Sequence, residues 1–298
     1  MIEPRKAVCV IAWPAGHSRS PLIHNYWIKQ YGLNAEYRRE AVPPDKFAEF
    51  VTHLREHGYI GANVTVPHKL AALALTEPDE RARAVGAANC LWYDDGRLRS
   101  TNTDVEGFLA NLDAATPGWD RGLESAVVLG AGGGARAVVF ALLAREVPRI
   151  YVINRTRARA EALRKQFGAH VHPAGWDEIT GLLGGAGLLV NTTTLGMVGQ
   201  PPLEINLRCP PSLVVADLVY DPLETGLLQA ARARPAHRRR ARHAAASGGA
   251  RLRIVVRHQA RGDGGTARAG RGRSRRQGAT GGHRKSQARG KAQSSAPE

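Results

Sequence analysis

One lysine stands in a stretch suited to moving protons. Gly61-Ala62-Asn63-Val64-Thr65-Val66-Pro67-His68-Lys69 reads as an apolar strand, then a proline turn, then Lys69 at the start of a helical run. An ammonium placed there can protonate a developing alkoxide and stabilise its charge beforehand. Asn63 and Thr65 add polar groups suited to a hydroxylated ligand. Later, Thr101-Asn102-Thr103-Asp104 brings a carboxylate to the start of another helix. Beside Lys69, that carboxylate would orient the lysine and keep it charged. Taken locally, Asp104 reads equally well as a helix cap, and the lysine stretch as a solvated strand-to-helix corner.

Two other stretches are built for anions. In Trp13-Pro14-Ala15-Gly16-His17-Ser18-Arg19-Ser20-Pro21, Ser20 and Pro21 read as an N-cap and a first-turn proline. That leaves Ser18 unexplained. Two hydroxyls beside a helix N-terminus can hold a carboxylate, because unpaired amides and the helix dipole favour negative charge there. The second stretch follows the apolar strand Ser125–Leu129. Gly130-Ala131-Gly132-Gly133-Gly134-Ala135 fits the dinucleotide fingerprint G-x-G-x-x-G/A in its strand–turn–helix setting. Residues 149–153 form the next expected strand, which ends in Asn154-Arg155-Thr156-Arg157-Ala158-Arg159. An NAD enzyme would place an acid there for the ribose hydroxyl. Arginines replace it, and a guanidinium grips a 2′-phosphate in bidentate fashion. Cations at a helix start also oppose the dipole, which a merely solvated helix start would avoid. The expected cofactor is NADP.

The elements that must hold these groups alternate. Strands are expected over residues 7–12, 35–42 and 59–66. Helices are expected over 20–31 and 44–57, the latter with Phe47, Phe50, Val51 and Leu54 on one stripe. A hairpin turning at Asp94-Asp95-Gly96 precedes a helix over 105–115. Strands over 188–190 and 214–218 run into Asn191-Thr192-Thr193-Thr194 and Val219-Tyr220-Asp221-Pro222, on the side of an open sheet where ligands bind. The expected fold class is α/β. An N-terminal substrate domain with a mainly parallel sheet (1–104) precedes a Rossmann-type dinucleotide domain (105–235) and a basic tail (236–298). The tail holds 17 of the 42 Lys/Arg and 2 of the 26 Asp/Glu, so it carries +15 of the net +16 and the body is nearly neutral. Cys9, Cys90 and Cys209 form no paired motif, which argues against a metal site or disulfide framework and fits a reducing cytoplasm. No apolar run approaches the ~20 residues of a membrane span, and no signal-peptide layout is present.

The motifs HSRSPLIHN, GANVTVPHK, GAANC, TNTD, GAGGGARA, NRT, NTTTLGM and DLVYDP, in that order, make residues ~5–235 resemble shikimate dehydrogenase. The resemblance implies NADPH-dependent reduction of 3-dehydroshikimate to shikimate, in chorismate and aromatic amino-acid biosynthesis. It implies that Ser18 and Ser20 hold the substrate carboxylate, and that Thr65, Asn89 and Asp104 bind the ring hydroxyls. Lys69 would be the proton donor and acceptor, paired with Asp104. Gly130, Ala131, Gly132, Gly133 and Gly134 would cradle the pyrophosphate. Asn154, Arg155, Thr156, Arg157, Ala158 and Arg159 would take the adenosine phosphate. Glu80 and Leu218 match positions near the cofactor, and Tyr220 matches a substrate contact. No metal is implied. A quinate/shikimate enzyme is the near alternative, and a homodimer is compatible with the resemblance. Ala12, Ala88, Cys90 and Thr194 depart from the family pattern without touching a proposed catalytic atom.

The resemblance stops near Pro235. The family continues with a segment close to DGLGMLLHQAAPGF, which supplies helices returning to the substrate domain and a glutamine for the substrate. Here residues 221–298 contain no aromatic Phe, Trp or Tyr, and Leu252, Ile254, Val255 and Val256 are the tail's one apolar cluster, too small to fold alone. That is the composition of a disordered basic segment. Codons can be chosen for Arg239–Arg253 that, read one base on, spell the missing family segment. A frame shift near residues 235–239 is therefore expected, with an exposed apolar surface and an impaired enzyme as its consequence. Specific nucleic-acid binding by the tail is disfavoured, because it has no interleaved aromatics for base stacking.

Overall fold

The computed structural model describes residues 5–207, 209–210, 212–233 and 252–254. Two six-stranded sheets follow one another along the chain. The first contains β1 (Lys6–Ala12), β2 (Ala35–Ala41), β3 (Tyr59–Val64), β4 (Glu77–Pro78), β5 (Cys90–Asp94) and β6 (Arg97–Thr101), in the order β2-β1-β3-β5-β6-β4. β1 pairs in parallel with β2 and β3, whereas β5 runs antiparallel to both β3 and β6. α1 (Ser20–Gln30), α2 (Phe47–Thr52), α3 (Lys69–Ala74) and α4 (Glu80–Val85) connect these strands. Ile11, Phe47, Val51, Leu54, Val64 and Leu91 form the core of this half.

α5 (Asp104–Ala115) leads to the second sheet. It contains β7 (Ser125–Leu129), β8 (Arg149–Ile153), β9 (Val171–Ala174), β10 (Leu188–Asn191), β11 (Val214–Asp217) and β12 (Leu252–Ile254). The order is β12-β11-β10-β7-β8-β9 and every pair is parallel. Counted from β7 this is the doubly wound dinucleotide-binding order, and the chain reverses direction between β7 and β10. Its central strands β7, β10 and β11 are apolar runs such as Ser-Ala-Val-Val-Leu in β7, because α6 (Gly133–Ala144), α7 (Arg157–Phe167), α8 (Ile179–Leu183) and α9 (Gly226–Arg232) leave them buried on both faces.

Two expectations change in detail. The helix expected over 44–57 ends as an α-helix at Thr52, where the Thr52 hydroxyl bonds back to Ala48 O at 2.9 Å and competes with the ladder. The turns beyond it still bury Leu54. Ser20 opens α1 and Arg19 is its cap residue, one position earlier than expected. Most of the expected tail, 236–298, lies outside the described residues, but the backbone of Leu252–Ile254 pairs with Val215–Asp217 of β11. Three residues cannot fold alone, yet an existing sheet edge offers them unpaired backbone groups to satisfy. No described helix is long and apolar enough to cross a membrane.

Candidate active site

Lys69 is the first residue of α3 and is only 3 % exposed. Its Nζ donates to Asp104 Oδ2 in a buried ion pair. Asp104 is the first residue of α5, one position past the cap residue Thr103. Its other oxygen, Oδ1, accepts from Asn89 Nδ2 at 2.9 Å. The Asn89 carboxamide also accepts from Thr103 N–H at 2.8 Å, and Asn102 Oδ1 accepts from Asp104 N–H at 3.0 Å. The GAANC stretch is tied to α3 by Ala88 N–H donating to Lys69 O at 2.9 Å. Three chain segments thus converge on one charged pair, and removing either member would leave a buried charge uncompensated. His68, the neighbour of Lys69, takes no part: it stacks on Phe47 at 4.2 Å, bonds to Val42 O at 2.8 Å, and burial pushes its imidazole below its ordinary value.

A small recess of about 30 Å³ lies between the ends of β1 and β3 and is lined by Ser18, Ser20, Asn63, Thr65, Asn89 and Tyr220. Ser18 is buried; its hydroxyl accepts from Ser20 N–H at 3.4 Å, and its carbonyl accepts from Arg39 at 2.7 Å. Asn63 is held by the Tyr37 hydroxyl at 2.6 Å and reaches Asn89 O at 3.3 Å, so it braces β3 against β5. Thr65 and Tyr220 also line a larger cavity of about 580 Å³, within the size range of small-molecule sites. That cavity is walled by Lys69, by Gly132, Gly133 and Gly134 after β7, by Thr192, Thr193 and Thr194 after β10, and by Leu218 and Val219 after β11. It sits at the strand-order reversal, where open α/β sheets bind ligands.

The cavity suits a dinucleotide. α6 begins from an extended Gly132 with no side-chain cap, so its first amides have no intrahelical partner. A Cβ on Gly133 would lie 2.7 Å from Lys69 Cβ, and one on Gly130, at φ +101°, would lie 2.6 Å from Thr192 Oγ1. Both glycines therefore permit approaches that any other residue would obstruct. Arg159, in the first turn of α7, lines the same cavity. Arg155, Thr156, Arg157 and Ala158 are exposed and do not line it. Arg157 pairs along the helix with Glu161 at 3.3 Å, and Asn154 Nδ2 bonds to Thr156 O at 2.8 Å. Glu80 is exposed at the start of α4, also outside the lining.

Sequence reading passed over several lining residues. Arg136, in the first turn of α6, faces the cavity, and its Nη1 donates to Gln166, which in turn donates to Ala84 O at 3.0 Å. His17 also lines it; burial lowers its imidazole, against the pull of Asp221 and with help from Arg39. Both residues lie inside motifs that were read for other members, and their direction of projection is set only by packing.

Residues 10–91 match the shikimate dehydrogenase substrate binding domain, and residues 120–195 match the shikimate / quinate 5-dehydrogenase family. A shikimate dehydrogenase (NADP(+)) of Rhodopseudomonas palustris is 64 % identical over 235 residues, covering 78 % of this chain and 84 % of the relative. The chain belongs to the shikimate dehydrogenase family. A solved shikimate 5-dehydrogenase of Thermus thermophilus, in complex with NADP(H) and shikimate, superposes with a TM-score of 0.64 at 34 % identity, covering 76 % of this chain and 84 % of that one. A quinate dehydrogenase of Corynebacterium glutamicum in complex with NAD superposes at 0.66 with 31 % identity, covering 78 % and 86 %.

Proposed function

We propose that this chain catalyses the reversible, NADP-dependent reduction of 3-dehydroshikimate to shikimate, with Lys69 and Asp104 as its catalytic pair. The observation that carries this is the buried ion pair, whose Lys69 lines the glycine-lined cavity and whose Asp104 accepts from Asn89, a residue of the serine-lined recess. NADPH, when bound, supplies the hydride. Lys69 Nζ gives a proton to the ring oxygen as its charge develops and takes it back in the reverse direction. Asp104 orients the ammonium and, with Thr65 and Asn89, receives the ring hydroxyls. Ser18 and Ser20 hold the substrate carboxylate, and Tyr220 closes the recess from the cofactor side. Gly130–Gly134 cradle the pyrophosphate. Within residues 154–159, Arg159 is the side chain best placed for the 2′-phosphate, and Leu218 would lie near the cofactor. Glu80 contributes from outside the cavity wall.

Residues 1–104 form the substrate domain in this reading and 105–235 the NADP domain, in a cytoplasmic enzyme that pairs as a homodimer. Shikimate oxidation by the purified chain, followed by reduced-nicotinamide absorbance with NADP and then with NAD, tests the assignment. No turnover with either cofactor would overturn it, and equal turnover with quinate would shift it to the quinate alternative.

The second reading, an impaired member of the family, is compatible with the exposure of α1. That helix has no buried residue, and Leu22, Tyr26, Tyr31 and Leu33 on or just beyond it are each more than half exposed. An exposed apolar face is the consequence expected of a frame shift near residues 235–239. A frame-restored chain should oxidise shikimate at least tenfold faster; equal rates would refute the impairment.

A further inference from the structure

One buried carboxylate has no part in the chemistry above. Asp217 ends β11 with no exposed surface, and no Lys or Arg pairs with it among the described residues. A carboxylate buried without a counter-charge must be satisfied by hydrogen bonds or it costs the fold heavily. Three donors meet it. Asn191 Nδ2, at the end of β10, reaches Oδ1 at 2.9 Å; Val219 N–H, in the loop after β11, reaches the same oxygen at 3.0 Å; Thr225 Oγ1 reaches Oδ2 at 2.7 Å. Burial pushes the carboxyl up to about 6, against the opposing pull of these bonds.

The donors carry the carboxylate's position outward. Asn191 Oδ1 accepts from Thr193 N–H at 3.0 Å and from the Thr193 hydroxyl at 2.7 Å, and Asn191 Nδ2 also reaches Leu195 O at 3.2 Å. The Thr193 hydroxyl in turn accepts from Leu195 N–H at 3.1 Å. The loop after β10 is therefore folded around a carboxamide that Asp217 holds. The loop after β11 is fixed directly through Val219, and Thr225 ties the start of α9 to the same point. Thr193 and Val219 both line the 580 Å³ cavity, whereas Asp217, Asn191 and Thr225 do not.

We infer that Asp217 is the positioning residue of the cofactor cavity, setting the two loops that wall it at the carboxyl ends of β10 and β11. The inference rests on the reading that this cavity receives the dinucleotide. Asp217→Ala removes all three bonds. Asp217→Asn keeps one acceptor oxygen toward Asn191 and Val219. Thr225→Val removes a donor that lies outside the cavity wall.

The test titrates NADPH into the full-length parent and the three variants by nucleotide fluorescence, and follows hydrogen exchange of peptides covering 191–197, 218–222 and 125–129. Asp217→Ala should weaken NADPH binding about tenfold or more. It should speed exchange in the two loop peptides while leaving the β7 peptide unchanged. Asp217→Asn should recover most of the affinity, and Thr225→Val should lose about two- to threefold. Undiminished affinity in Asp217→Ala overturns the inference, as does acceleration equal in all three peptides, which would mark Asp217 as a support of the whole sheet. If Asp217→Ala yields no folded protein, unchanged affinity in both Asp217→Asn and Thr225→Val overturns it instead. A parent chain that binds no NADPH refutes the cofactor reading and this inference with it, and is told apart because no substitution is involved.

Discussion

The two walls of the cleft are made in opposite ways. The proposed substrate wall is made of side chains: Lys69, Asp104, Asn89 and Ser18 are all buried and polar, and the first three are joined by hydrogen bonds through Asp104. The proposed cofactor wall turns on backbone at the start of α6, where glycines matter for the atoms they lack. A buried ion pair gains or loses several kcal/mol with its partners. A glycine turn is sensitive only to steric intrusion and to φ. The two walls meet where Gly133 faces the Lys69 stem.

That contrast can be broken experimentally. The largest effect should come from Lys69→Met, with turnover falling ~10²–10⁴-fold, the range of a lost general acid. The bare Asp104 should also destabilise the fold by roughly 3–5 kcal/mol. Adding Asp104→Asn should restore most of the denaturation midpoint but none of the turnover. Turnover recovering along with stability would show that the pair is structural.

Gly133→Ala sharpens the comparison at the point of contact. Its methyl would press on Lys69, so turnover should fall about 10–100-fold through a misplaced proton donor. Gly130→Ala should act differently, costing roughly 1–3 kcal/mol of stability because of its left-handed φ. Steady-state kinetics beside thermal unfolding separates the two. Arg159→Ala should raise the KM for NADP about 10–100-fold, leaving kcat and the KM for shikimate nearly unchanged. An unaltered preference of NADP over NAD would remove Arg159 from the phosphate site.

Asp217 gives an effect that depends on pH. Its carboxyl is raised from 3.8 to about 6, so the folded state binds its proton more tightly than the unfolded chain does. Stability from this group is fully present below about pH 4 and is lost as pH rises through about 6. The difference is on the order of 3 kcal/mol by linkage. Asp217→Asn should lack that loss, and denaturant midpoints of parent and variant should diverge across this window. The smallest change belongs to Arg19→Ala. It removes a largely exposed ion pair with Asp221 at 3.4 Å and should shift stability by less than about 1 kcal/mol, an effect abolished by salt.

Much of this was legible in the order of residues. The fingerprint Gly130–Gly134 is local chemistry: a strand, a turn without side chains and a helix start lie within a dozen positions. The Lys69 corner was legible for the same reason. Asp104 was not decidable locally, since capping and catalysis both place an acid at a helix start. Arg155 and Arg157 looked as suitable as Arg159, because spacing along a helix start does not say which side chain turns inward. Arg136 and His17 were hidden inside motifs read for other residues. The strand Leu252–Ile254 was invisible to patterning because it exists only as an addition to the β11 edge.

By itself the sequence determined the alternation of strands and helices, the glycine turn, the absence of an acid at 154–159 and the break in family pattern after residue 235. These depend on near neighbours, on backbone freedom and on composition. Only the tertiary structure decided that Lys69 meets Asp104, that Arg159 faces the cavity while Arg157 turns to Glu161, and that Asp217 anchors both loops after β10 and β11. Each of those joins residues from separate elements, and their meeting is set by sheet order and by the need to pair every buried polar group.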